Sequence, residues 1–323
     1  MRENKKVGSD QFGGGRQTVQ SGLVSHVDSC SDEPQSALSV SLWSLDLVRL
    51  QTIVVYYSEQ MSEQLPESLV RDNLYNWLGY GNLNGRYWFI GREEYDSIKR
   101  CQYLENLHDY YDVRREFDYA EDFVDVWEQS YGRSVDKGTR SSTTRHYQAA
   151  FLLALDGISP KGRDPKTGKS KTASYVFDEK RFRRCDGNHF SGEAFPLRCH
   201  PKKPDTFDPY RALWTSLDEY EREVLPNRID LYLAQLETNP NVKVVISYAD
   251  TDEFVKPLQQ RLDYDSLGTR PANKRNEFEI SRYHLDEGRT VLVIDSPFFG
   301  QGHVGYSEIE ALAQEIPNLV GHG

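Results

Sequence analysis

Short apolar runs punctuate an otherwise polar chain, and the clearest are Tyr87–Ile90, Val242–Tyr248 and Thr290–Ile294. Runs of this length that stop at Gly, Pro or a carboxylate have the pattern of parallel strands covered on both faces. Phe190–Leu197 reads as a further strand-like stretch, running on to Pro204. Between these runs the spacing changes to a helical one. Thr143–Leu155 places Tyr147, Phe151 and Leu155 on one stripe. Pro66–Leu78 predicts a helix, Gly79–Gly85 a loop, and Tyr95–Trp127 Tyr- and acid-rich helical sequence. Ser159–Ser174 predicts a Lys/Gly/Pro loop, Tyr210–Leu236 a helix interrupted near Pro226, and Asp252–Leu262 a short helix. The last helix is expected over Ser307–Glu315, opened by a capping box of Ser307 and Glu310. Strands alternating with helices predict an α/β fold: a three-layer α/β/α domain around a central, mostly parallel four-stranded sheet.

The first part of the chain breaks this pattern. Residues 1–38 are rich in Gly, Ser, Gln, Asp and Lys and nearly free of aromatics, too polar to bury a core. Residues 1–60 are therefore expected to be a poorly ordered leader, and residues 61–323 the α/β domain. Met61 stands where regular sequence begins, and an upstream start would account for the leader. Peptides mapping before Met61 in the native protein would exclude that.

Of the 323 residues, 28% are charged and the net charge is −11; the mean hydropathy is −0.70. No apolar run approaches the roughly 18 residues a membrane span needs. With no basic-then-apolar start, a cytoplasmic protein without a membrane partner is expected. The acidic balance argues against a wholly electrostatic nucleic-acid binder, yet basic residues cluster locally at Lys180–Arg184 and at Arg270, Lys274 and Arg275. Cys30, Cys101, Cys185 and Cys199 form no CxxC pair, so neither a zinc site nor a disulfide framework is expected.

Candidate chemistry sits where two apolar runs end. The first corner is Phe89-Ile-Gly-Arg-Glu-Glu-Tyr95. The second is Ile294-Asp-Ser-Pro-Phe-Phe-Gly-Gln-Gly-His303 and continues to Ser307. In open α/β sheets, sites form just beyond the carboxyl ends of strands. Two such corners, far apart in sequence, can meet over one pocket.

In order and position these segments resemble the uracil-DNA glycosylase superfamily, over roughly residues 66–316. The first corner resembles that family's strand followed by Gly-Gln-Asp-Pro-Tyr. Glu193-Ala-Phe-Pro-Leu-Arg-Cys-His-Pro201 resembles its second strand, and Val244–Tyr248 the strand before its last motif. The second corner resembles the His-Pro-Ser-Pro loop and the helix after it. The resemblance implies a DNA partner and excision of a base flipped out of the stack. The enzyme would act as a monomer, without metal or cofactor.

It also implies roles. Glu93, or Glu94 beside it, takes the place of the water-directing carboxylate. Gly91, Arg92, Tyr95, Glu193, Ser296 and Pro297 fall at substrate contacts. Phe298 or Phe299 falls at the wedge entering the duplex, with Gly302 and Ser307 beside the phosphates. The chain departs from the family at the motif histidine, which aligns with Ile294 or Asp295. Asp295 can serve a departing base only when protonated, and His303 is the alternative. Glu193 stands near the base-reading amide and would accept a hydrogen bond from an exocyclic amine; Asn188 and His189 lie upstream. Ordinary uracil excision is therefore not expected, and a modified base is. Arg198-Cys-His resembles one ligand site of the iron–sulfur branch, but its companions are missing and no cluster is expected. Two rivals remain open: a catalytically silent DNA-binding module of the same fold, and a small-molecule hydrolase using Glu93 and Asp295.

Overall fold

The computed structural model describes residues 65–92, 107–132, 134–135, 143–197, 199, 207–300 and 302–321. Residue contacts divide the chain after Ser62, and every described residue belongs to the second unit. The proposed leader and Met61 lie outside the described residues, as do Glu93, Glu94 and Tyr95.

That unit is mixed α/β, built on one sheet of eight strands where four were expected. They are β1 (Gly79–Gly81), β2 (Tyr87–Gly91), β3 (Ala120–Glu121), β4 (His189–Glu193), β5 (Val244–Ser247), β6 (Tyr264–Pro271), β7 (Glu277–His284) and β8 (Thr290–Asp295). Their order across the sheet is β3-β1-β4-β2-β5-β8-β7-β6. The middle four, β4, β2, β5 and β8, are mutually parallel. They are the four apolar segments of the sequence, and each is almost wholly buried. Of the four added strands, the two-residue β3 pairs parallel with β1 at one edge, and the other three come from two sources. Gly79–Gly81, expected as loop, pairs with β4 because the absent Cβ of Gly79 lets the chain lie against the Ser191 carbonyl. The β6–β7 hairpin extends the other side antiparallel.

Among the described residues six α-helices run five residues or longer: α1 (Glu67–Asn76), α2 (Leu107–Val113), α3 (Thr143–Leu155), α4 (Leu217–Thr238), α5 (Val255–Gln259) and α6 (Tyr306–Val320). On one face Phe89, Ile246, Leu292 and Ile294 pack with Phe151 of α3 and Ile309 and Leu312 of α6. On the other, Trp88, Ile90, Val245 and Val293 pack with Ile229 and Tyr232 of α4 and Leu258 of α5. Each strand thus divides its side chains between two cores, as period-two alternation requires.

Two boundaries differ from the sequence reading. Helix α4 runs unbroken through Pro226. Proline inside a helix costs about 3 kcal/mol, but Tyr220, Val224, Ile229, Tyr232 and Leu236 bury one continuous stripe across it. Where described, Tyr95–Trp127 contains helical sequence: α2 ends at Val113, and after β3 a helical turn at Phe123–Asp125 leads into a π-turn at Val126–Ser130. Helix α6 starts at Tyr306 with Gly305 as its N-cap. Ser307 is therefore inside the first turn and exposed, not the capping residue.

Candidate active site at the carboxyl edge of the sheet

The carboxyl ends of β4, β2, β5 and β8 line up in register: Gly91 with Glu193, Ile90 with Ser247, and Ser247 with Asp295. Both corners therefore leave the same edge of the sheet with only β5 between them, about 10 Å apart at two strand spacings. Glu93 and Glu94 follow directly on Arg92 but lie outside the described residues.

Alternation sorts this edge by face. Ser247 and Asp295 turn toward α4 and α5. Asp295 is 8% exposed and accepts a hydrogen bond from Thr251 Oγ1 at 2.6 Å. Burial pushes its carboxyl up to about 6; the Thr251 bond opposes this, and the charges of Glu279 and Asp250 add to it. Ser247 Oγ is buried beside it without a hydrogen-bond partner among the described residues. Arg92 turns to the same face, and its guanidinium binds Glu221 at 2.6 Å and pairs with Glu253, with Asp250 at 3.9 Å. It also lies over the Phe195 ring. Arg92, expected at a substrate contact, is engaged by carboxylates that hold the first corner to α4 and to the turn after β5.

The other face carries a buried polar network. Gln148 of α3 donates from Nε2 to Tyr248 Oη at 2.8 Å. Its Oε1 accepts from Ser191 Oγ at 3.2 Å and from Arg183 at 3.4 Å. Alternation places Glu193 on this side, two residues beyond Ser191. Its backbone carbonyl accepts from Arg228 at 2.6 Å and Tyr232 at 3.0 Å. Glu193 and Asp295 thus share the edge but stand on opposite faces. Tyr248 packs directly over Gly91: a Cβ there would come within 2.6 Å of the Tyr248 hydroxyl. The Tyr248 ring stacks on Phe299 at 4.7 Å and 11°.

The second corner separates its two phenylalanines. Phe299 is fully buried and also stacks on Phe151, so the wedge role does not suit it. Phe298 is 45% exposed. Ser296 stays in the sheet, its N–H donating to the Ser247 carbonyl at 2.8 Å, and Pro297 follows it. Gly302 has φ of +76° with open space beside it. His303 is exposed and sits against the turn between β6 and β7. Asn273 Nδ2 donates to the Gly302 and His303 carbonyls at 2.8 and 2.7 Å, and Asn276 Nδ2 to the His303 carbonyl at 3.1 Å. The tip of that turn carries exposed Lys274 and Arg275.

Tyr248, Gln148, Ser247 and Thr251 had no role in the sequence reading. Tyr248 follows the carboxyl end of β5, so the rule that singled out the other two corners applies to it as well. Gln148 is a polar residue within an apolar helical stripe, and the sequence does not say which strand it faces. No family model, curated protein or solved structure matches the chain.

Proposed function

We propose that the chain is a DNA glycosylase-like enzyme that hydrolyses the N-glycosidic bond of a flipped, modified base. The observation that carries this reading is Asp295: a buried carboxyl at the end of β8, pushed up to about 6, across one strand from the corner that leads to Glu93. Breaking the glycosidic bond leaves positive charge on the sugar and negative charge on the base. A carboxyl held above the ordinary range keeps its proton to higher pH and can give it to the departing base, where the family's histidine donates a hydrogen bond. Glu93 or Glu94 directs water to the sugar carbon. Asp295 protonates the base nitrogen as the bond breaks. Phe298 fills the gap left in the stack, and His303 with the Lys274–Arg275 tip meets the phosphates.

A second reading is a silent DNA-binding module. It is favoured by the stack of Tyr248 on Phe299, which fills the α3 side of the edge beside Gly91. One assay separates the two. Oligonucleotides carrying uracil, hypoxanthine, hydroxymethylated or glucosylated bases are incubated with the protein and then treated with alkali. Strand cleavage that is lost in Glu93→Ala or Glu94→Ala supports the enzyme. Salt-sensitive binding without cleavage supports the module.

A further inference from the structure

After α3 the chain turns back on itself in a small hairpin over residues 161–171, where Arg163 and Ser170 form an antiparallel bridge. Asp164 builds the turn. Its carboxylate accepts the N–H groups of Lys166 at 2.7 Å and Thr167 at 3.1 Å. Its backbone accepts from Gly168 and donates to Lys169, both at 2.8 Å. Gly162 and Gly168 take left-handed φ, 84° and 68°, where the chain reverses, a conformation open to glycine. Thr167 Oγ1 ties the tip to Ser174 Oγ at 3.1 Å, and Lys171 Nζ staples the base to the Ser159 carbonyl at 3.0 Å. The hairpin is thus held by its own polar groups. Every residue from 161 to 170 except Asp164 is exposed, and apart from Pro165 none has an apolar side chain.

Its charge runs against that of the chain. Lys161, Arg163, Lys166, Lys169 and Lys171 stand against Asp164 alone, in a protein of net charge −11. Carboxylates from elsewhere reach two of the five: Glu310 lies 3.4 Å from Lys161, and Asp178 pairs with Lys169. Lys171 is engaged in its staple. Arg163 donates to the Gly168 carbonyl at 2.7 Å, and the Lys166 ammonium makes no ion pair or hydrogen bond among the described residues. Neither of these two cations is paired with a carboxylate there.

Composition decides between polyanions. A protein interface is centred on apolar and aromatic groups and depleted of Lys. Stable docking on an anionic membrane needs an apolar or lipid anchor beside the basic residues. The hairpin has neither. A nucleic-acid backbone is met by Arg, Lys, hydroxyls and backbone N–H groups, which are the groups this hairpin presents. Its place agrees. Thr172, just past the hairpin, lies 3.1 Å from His146 in the first turn of α3, and Thr144 in that turn donates to the Phe299 carbonyl at 3.4 Å. Lys161 reaches Glu310 early in α6. The base of the hairpin therefore sits at the ends of α3 and α6 that flank the second corner.

We propose that this hairpin is a docking arm for the backbone of double-stranded DNA, with Arg163 and Lys166 each meeting a phosphate. The inference takes its DNA partner from the proposed function but not the reaction. Fluorescence anisotropy of two unmodified duplexes of unrelated sequence, titrated with the full chain across a salt series, tests it. The double substitution Arg163→Gln and Lys166→Gln should weaken both duplexes alike and lower the slope of log affinity against log salt by about 2, with unchanged circular dichroism. Lys166→Gln alone, at a side chain that holds no part of the turn, should lower it by about 1. A native slope in the double variant overturns the proposal. So does an absence of duplex binding by the native chain, or tighter binding to phosphatidylserine vesicles or to polyglutamate than to either duplex. Base release is scored separately: release together with a native slope in the double variant overturns the arm alone. A lowered slope with no base released from any modified oligonucleotide upholds the arm and overturns excision.

Discussion

Asp295 concentrates the account at the scale of single residues. Its folded-state value near 6 stands above the ordinary 3.8, so between those two values the folded chain holds a proton that the unfolded chain releases. Stability from this group is complete below about pH 4 and is lost as pH rises toward 6. The displacement corresponds to at most about 3 kcal/mol. Asp295→Asn should therefore raise the melting temperature at neutral pH and flatten its decline across that window, as calorimetry at a series of pH values would register. An unchanged profile would mean that the carboxyl is not held near 6. Gly91 makes a second residue-scale case. Tyr248 is fixed by Gln148 and by its stack on Phe299, so it cannot readily yield to a new methyl group. Gly91→Ala should destabilise the chain by about 1–3 kcal/mol in denaturant unfolding, and a neutral result would show that Tyr248 moves freely.

Among the elements, what was legible in the sequence followed from burial. β2, β5 and β8 stand out because both of their faces are covered, so their residues are apolar without interruption. Alternation in β7 is present but diluted by Ser281 and Arg282, and β6 is exposed along most of its length. A strand that buries nothing leaves no apolar signature, and the hairpin was missed for that reason. Helix α4 was misread because Pro226 weighs heavily in local propensity, while the stripe that outweighs it is visible only against the sheet. The candidate site was half legible. Strand ends pointed to Gly91, Asp295 and the Phe298–Phe299 loop, but which phenylalanine turns inward depends on Tyr248 and Phe151, far away in sequence. Arg228 ties three elements together. It is fully buried and donates to Leu74 and Trp77 at the end of α1 and to Glu193 at the end of β4. Arg228→Met leaves those carbonyls without this donor and should cost at least about 3 kcal/mol, measured by urea unfolding. A loss below about 1 kcal/mol would mean that neighbouring donors replace it.

For the molecule as a whole, a net charge of −11 constrains the DNA contact that the proposed function requires. Any phosphate contact must be local, and the exposed Lys274–Arg275 tip is held to the Phe298–His303 loop by Asn273 and Asn276. DNA binding should thus depend only shallowly on salt. Lys274→Ala and Arg275→Ala should each lower the slope of log affinity against log salt by about 1, and a slope unchanged in both would place the interface elsewhere. Among the described residues no helix is long and apolar enough to cross a membrane. The carboxyl edge of the sheet gathers Asp295 and both corners, with the first turn of α3 against Phe299, whereas Asp156 follows the far end of that helix. Asp156→Asn should therefore leave any base excision unchanged.

The most direct test of the central claim is to quantify free base released from the modified oligonucleotides by the native chain and by Asp295→Asn, at about pH 5.5 and pH 7.5. Base should be released from at least one substrate, faster at the lower pH, and Asp295→Asn should slow release by about 100-fold or more. No released base from any substrate, or equal rates for the two proteins, would contradict it.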